Sequence, residues 1–216
     1  MKESIYTIPI NQAFEQSDSC PFCLLADKLE QAAVDYTLGG AMMQPDIRLE
    51  TNRLGFCPRH LDMLLAMQNR LALGLVLQTH MEQLRLDLAE KSLQKAGETA
   101  VERHKSCFIC KRNREHMEKY YQNAVHMWKT EPDFREKLGK ITHLCFSHHA
   151  SLLKAAAKIL SKKEGKAFLE QINQIMQNRL NPLCENIHSF CKSFDYNSTG
   201  QPVDKQIIEK IIEFLG

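Results

Sequence analysis

Apolar residues return every three or four positions along most of this chain, the period of a helix with one buried face. After Cys20-Pro-Phe-Cys23 the stripe is Leu25, Leu29, Ala32, Ala33 and Tyr36, and Gly39-Gly40 ends it. Residues 1–19 show no such pattern and read as an irregular lead-in, with Ser17, Asp18 and Ser19 available to cap a helix starting near Pro21. Pro45-Asp46 opens a short helix that reaches about Asn52. Cys57-Pro58 begins a long one whose inner face is Leu61, Leu64, Leu65, Gln68, Leu71 and Ala72. Gly74 predicts a kink or break; Leu77, Met81, Leu84 and Leu88 extend the stripe to about Lys95, and Gly97 is the natural stop.

The same plan then returns. Met117, Tyr120, Tyr121 and Ala124 lie 88 positions beyond Leu29, Ala32, Ala33 and Tyr36, and Trp128 continues their stripe. Pro132-Asp133 and Arg135 lie 87 beyond Pro45-Asp46 and Arg48. Cys145, Leu152 and Leu153 lie 88 beyond Cys57, Leu64 and Leu65, and Lys162 to Gly165 interrupts the second copy much as Gly74 interrupts the first. Nothing reads as a strand. The pattern predicts an all-α protein, a tandem duplication of a four-helix unit: residues 1–100 as the first repeat, and 101–216 as the second with a C-terminal helical extension. The stripes on 61–88 and 149–176 are longer than their own short partners can cover, so the repeats are expected to pack as one body. In the extension, Asn181-Pro182 interrupts and restarts a helix. Leu183, Ile187, Phe190, Cys191 and Phe194 line the new segment, and Asp195 to Pro202 is a turn-rich loop. Ile207, Ile208, Ile211, Ile212 and Leu215 form a final amphipathic helix expected to dock onto the body.

The repeat carries chemistry. Cys20-Pro-Phe-Cys23 is followed 34 positions after Cys23 by Cys57-Pro-Arg-His60, and Cys107-Phe-Ile-Cys110 is followed 35 positions after Cys110 by Cys145-Phe-Ser-His148. Two cysteines separated by two residues offer two thiolates from one tight turn, and a Cys/His pair completes four-coordination. The spacing therefore predicts two Cys3His sites per chain, Cys20/Cys23/Cys57/His60 and Cys107/Cys110/Cys145/His148, one in each repeat. All four half-sites sit at predicted helix starts, where unpaired N–H groups and the helix dipole favour thiolate. A Cys3His set with no ligand missing matches closed structural zinc, so the expected cofactor is two Zn2+ per chain; iron–sulfur clusters are the alternative. Alignment with His60 selects His148 over its neighbour His149. Cys184, His188 and Cys191 share one helix face and would be a third site, but no fourth ligand is apparent, and Cys184 and Cys191 read as small buried apolar residues with His188 at the boundary. The Met-rich stretches, Met42-Met43 and Met63/Met67, read as core filler, and His80, His104, His116 and His126 as individually satisfied or solvated.

Composition narrows the function classes. Hydrophobic content of 44% and charged content of 25% are those of a soluble globular protein. Residues 1–100 hold 9 Lys+Arg against 13 Asp+Glu (−4), and residues 101–216 hold 19 against 13 (+6), which sum to the formal +2. The start of the chain lacks the apolar stretch of a signal peptide, and the longest aliphatic run, Leu71 to Leu77, is far short of a membrane span. With six of the eight cysteines in metal-ligand spacing, reduced thiolates in the cytoplasm are expected, with no membrane partner. No P-loop, dinucleotide fingerprint, zinc-protease or nucleophile-elbow motif is present.

The CPxC near the start, Gly55-Phe-Cys57-Pro-Arg-His60 as a GxCxxH, the looser second copy and Lys192-Ser-Phe-Asp195-Tyr196 near the end together resemble an uncharacterised bacterial family of unknown function. That resemblance spans nearly the whole chain and implies a bacterial cytosolic setting, but no activity. The reading is a zinc-stabilised, non-enzymatic helical protein acting as an adaptor or regulator through protein contacts. The alternatives are an iron–sulfur or thiol redox/electron-transfer protein, and a nucleic-acid binder using Arg103, Lys105, Lys111, Arg112 and Arg114 around the second CxxC.

Overall fold

The structure, a computed structural model, describes residues 5–16, 19–89, 92–194 and 203–215. Among these residues the chain is all-α, with eleven helices, one 3-10 turn at Gly40–Met43 and no strand. The helices are α1 (Thr7–Phe14), α2 (Pro21–Leu38), α3 (Pro45–Leu54), α4 (Pro58–Ala66), α5 (Arg70–Asp87), α6 (Leu93–Lys105), α7 (Phe108–Thr130), α8 (Pro132–Gly139), α9 (Phe146–Ile159), α10 (Lys162–Lys192) and α11 (Ile207–Leu215). The order α2 to α5 is matched by α7 to α10, with proline at the first position of both α3 and α8 and cysteine as the N-cap of both α4 and α9. None of the described helices is long and apolar enough to cross a membrane.

Several boundaries differ from those the periodicity predicts. The lead-in contains α1, which buries Ile10, Ala13 and Phe14. The long helix after Cys57 breaks at Gln68, not Gly74; Gln68 takes a left-handed φ of 58°, and Asn69 restarts the chain as an N-cap accepting from the Ala72 N–H at 3.2 Å. That break resets the buried face, so Leu64 and Ala72 are buried while Leu71 is 75% exposed. Gly97 lies inside α6, and Pro182 lies inside a continuous α10. Glycine costs a helix only about 1 kcal/mol, and in α6, which buries no residue, the flanking helix formers override it. Ser17, Asp18 and the loop from Asp195 to Pro202, with Asp195 and Tyr196 of the terminal motif, lie outside the described residues, as does the side chain of Met42. Met43 and Met67 are exposed rather than core, whereas Met63 packs against buried side chains.

The chain divides into two compact units, one of Met1–Leu25 with Met117–Gly216 and one of Ala26–His116. In the second, Ala33, Val34 and Leu38 of α2, Leu54, Leu64 and Leu73, and Phe108 and Ile109 form one buried cluster. In the first, Phe14 contacts Phe22 edge-on at 5.5 Å and Phe134 at 5.0 Å, and Trp128 meets Phe168 edge-on at 4.9 Å. The terminal helix α11 packs on α9 and α10, but through Ile207 and Phe214; Ile208, Ile212 and Leu215 stay exposed, so fewer isoleucines dock than the pattern predicts.

Candidate metal centres

Each half-site is a helix start. Cys20 and Cys107 immediately precede α2 and α7, and Cys57 and Cys145 cap α4 and α9 with nearly the same extended backbone (φ −74°, ψ 162° and φ −75°, ψ 158°). Cys23 folds back through its N–H onto the Cys20 carbonyl at 3.0 Å, and the Cys110 N–H donates to the Cys107 sulfur at 3.5 Å. The latter is the expected use of an unpaired helix-start amide, stabilising thiolate. Three positions after each capping cysteine, the first helical turn returns a histidine, with Nδ1 3.1 Å from Sγ at Cys57/His60 and 2.9 Å at Cys145/His148.

The structure gathers all eight side chains into two Cys3His groups, but crosswise. Cys20 and Cys23 meet Cys145 and His148, while Cys107 and Cys110 meet Cys57 and His60. The expected pairing of each CxxC with the CxxH of its own repeat is therefore overturned. In the first group His148 Nδ1 lies 3.6 Å from Cys20 Sγ and 3.3 Å from Cys23 Sγ, and the sulfurs of Cys23 and Cys145 are 3.7 Å apart. In the second, His60 Nδ1 lies 3.3 and 3.4 Å from the sulfurs of Cys107 and Cys110, and Cys57 and Cys110 are 3.8 Å apart. A tetrahedron built on metal–sulfur bonds of about 2.3 Å has S···S edges of about 3.8 Å, and S···N edges slightly shorter. Both groups fit a single four-coordinate ion, all donor atoms lying within 4.8 Å of one another.

Local contacts hold the exchanged partners together. His60 Nε2 meets the Glu30 carboxylate of α2 at 3.0 Å, and Glu30 stands seven positions after Cys23. At 1.5 Å per residue Glu30 lies about 10 Å along α2 from Cys23. The partner arrives through α6 instead. Gly55 accepts the Phe108 N–H at 2.9 Å, Leu54 accepts the Ser106 hydroxyl at 2.7 Å, and Lys111 pairs with Glu50. Residues 106–111 are thereby fastened beside 50–57. The matching bond in the other group would need an N–H from Pro21, which proline lacks.

Hydrogen bonding and burial distribute charge unevenly among the thiols. Hydrogen bonds with Cys145 and Cys20, then burial, push Cys23 far up, whereas hydrogen bonds from Cys20 and Cys23 hold Cys145 far below the ordinary thiol range. Burial opposes charge on His148, but hydrogen bonds with Cys145 and Cys20 lift it to about 9. Burial pushes Cys110 up to about 12. A divalent ion removes this competition by accepting all three thiolates at once.

The surroundings were only partly legible. The Glu30 carboxylate on His60, steadied by an ion pair with Arg59, is an outer partner of a kind that fixes histidine ligands, and no motif announces it. His149 is outside both groups, as expected; its ring nitrogens are buried without hydrogen-bond partners, and it stacks on Phe146 at 6.3 Å. Cys184, His188 and Cys191 form no ligand group among the described residues, and Cys184 and Cys191 are exposed, not buried as expected. Of the basic residues near the second CxxC, Arg103 pairs with Asp87, Lys111 with Glu50 and Glu115, and Arg112 lies over the Tyr36 ring at 4.7 Å.

The sequence profile of a family of unknown function, DUF6062, matches residues 1–215. No curated protein and no solved structure matches the chain.

Proposed function

The chain belongs to DUF6062, a family of unknown function, and we propose that it is a non-enzymatic helical protein, held together by two zinc ions, that acts as an adaptor or regulator through protein contacts. The observation that carries this reading is the pair of closed Cys3His groups whose edges fit one tetrahedral ion each. An iron–sulfur cluster interposes several iron and sulfide atoms between its thiolates and spreads them further apart, so these short edges favour a single ion. Among single ions, zinc suits three thiolates and an imidazole in a site with no open position. The matched order of helices and N-caps supports an origin by duplication of a four-helix unit. Exposed apolar side chains in Ala26–His116, with Leu71 75% and Leu93 92% accessible, suit protein contact. The engagement of Arg103, Lys111 and Arg112 within the fold leaves the nucleic-acid reading less support.

Elemental analysis of protein purified without oxygen is expected to find close to two zinc per chain and no visible absorption. Iron with a visible chromophore, or protein holding no metal, would overturn the reading.

A further inference from the structure

The two groups differ in what surrounds them. His60 is buried, and its Nε2 is bound to a carboxylate that is itself ion-paired. Glu30 stands seven positions after Cys23; seven positions after Cys110, the matching place on α7 holds the buried Met117. His148 has no such brace. Its ring lies among Phe22 and Tyr121, with centroids 6.0 and 6.1 Å away, and its Nε2 has no hydrogen-bond partner among the described residues.

The sulfur side of this first group opens to a cavity. Cys20, Cys23 and Cys145, three of its four candidate ligands, line a space of about 50 Å³ together with His143, Arg179 and Glu213. That volume admits a few waters or the donor group of a small molecule. His143, Arg179 and Glu213 also line a larger neighbouring cavity of about 490 Å³, which runs along the turn of α10 that contains Pro182. This is within the range of small-molecule sites. Arg179 is half-buried and has no ion pair or hydrogen bond among the described residues.

We propose that Cys20, Cys23, Cys145 and His148 form an exchangeable metal site, reached through this cavity by a small polycarboxylate chelator whose anionic group pairs with Arg179, while Cys57, His60, Cys107 and Cys110 retain their metal. The inference rests on the zinc reading above. Exchange at a four-coordinate ion needs an incoming donor to reach the metal beside its existing ligands, passing through five-coordination. The cavity supplies that approach on the thiolate side. Three thiolates and a neutral imidazole leave a divalent ion with a net charge of −1, which, with the Glu213 carboxylate in the lining, repels an anionic ligand; the unpaired Arg179 guanidinium is the cation there that can hold one. As carboxylate oxygens and amine nitrogens of the chelator take positions on the metal, the three thiolates and the His148 imidazole leave it in turn, each thiolate taking a proton from the solvent and the imidazole leaving neutral. The metal departs in the same divalent state as a chelator complex. At the other group the Glu30 carboxylate holds the His60 ring in place, and an outer partner of that kind is worth about 10–100-fold in metal affinity.

The test uses the full-length two-zinc protein. With EDTA in excess, zinc release is expected in two equal phases, separated at least tenfold in rate. N-ethylmaleimide with peptide mapping should label Cys20, Cys23 and Cys145 during the fast phase and Cys57, Cys107 and Cys110 only in the slow one. Arg179→Gln should slow the fast phase with EDTA but not with the uncharged chelator 1,10-phenanthroline. Glu30→Gln should accelerate the slow phase about 10–100-fold and leave the fast one unchanged. Two zincs leaving together, early labelling of Cys57, or an Arg179→Gln effect equal for both chelators would overturn this inference and leave the two-zinc reading intact. A chain that binds no zinc would overturn both.

Discussion

Gly55 shows how much of a centre depends on one residue that is not a ligand. Its backbone, at φ 59° and ψ −154°, lies in a region essentially reserved for glycine, and an added Cβ would sit 2.6 Å from the His80 ring. That ring is fixed by donating from Nδ1 to the Asn52 carbonyl at 2.8 Å, and Gly55 itself accepts the N–H that fastens Phe108 beside Cys107. Gly55→Ala is expected to destabilise the protein by about 1–3 kcal/mol and to weaken metal retention at Cys57/His60/Cys107/Cys110. Adding His80→Ala relieves the collision but not the backbone strain, so the double variant should recover part of the melting temperature. An unchanged melting temperature in the single variant would refute the argument. Glu164 makes a second prediction at this scale. Hydrogen bonds from Ser161, side chain then backbone, and from Lys129 hold its carboxyl down to about 2. A carboxylate depressed on folding contributes fully above its ordinary value of 4.5 and loses that contribution as pH falls through about 2. Carbon-13 NMR of the side chain should therefore show a midpoint near 2; one near 4.5 would mean the contacts do not persist in solution.

Among the helices, α10 is where local rules and tertiary packing meet most directly. It starts with a capping box, Ser161 accepting the Glu164 N–H at 3.4 Å while Glu164 accepts the Ser161 N–H at 2.8 Å. Ser161→Ala should cost about 1 kcal/mol, read as a lower midpoint in urea with an unchanged slope. Twenty-one positions after Ser161, the helix carries Pro182, which cannot donate to the Asn178 carbonyl. The helix continues because its buried face, with Phe168, Ile172, Ile175 and Met176 before the proline and Leu183 after it, keeps packing. Pro182→Ala restores the donor and should raise the melting temperature, within the roughly 3 kcal/mol that an interior proline costs. A fall would refute this.

For the whole molecule, the crosswise grouping makes a prediction about stoichiometry that the within-repeat pairing reverses. Cys23→Ser with Cys145→Ser damages one group and should leave one tightly held zinc. Cys23→Ser with Cys57→Ser damages both and should leave none. Structural zinc supplies on the order of 10 kcal/mol or more, comparable to the net stability of a domain. The second variant should therefore lose far more helical dichroism than the first, and chelation of the wild type should do the same. Equal losses in the two double variants would sink the assignment of partners.

The local pattern by itself determined the helical class and the helix starts at Cys20, Cys57, Cys107 and Cys145, because each depends on neighbours within one or two turns; the choice of His148 over His149 came from alignment with Cys57 and His60, 88 positions earlier. The missed capping box at Ser161 and Glu164 was legible in the same way, as a serine followed three residues later by glutamate. The break at Gln68 and the continuation through Pro182 were not, since both reflect what the flanking helices bury. Least legible was which thiolate pair meets which histidine. Spacing fixes the two ligands that share a turn, but the 34 or 35 residues between half-sites permit either pairing. Only the tertiary structure decided it, through the Gly55–Phe108 backbone bond that delivers Cys107 and Cys110 to Cys57 and His60.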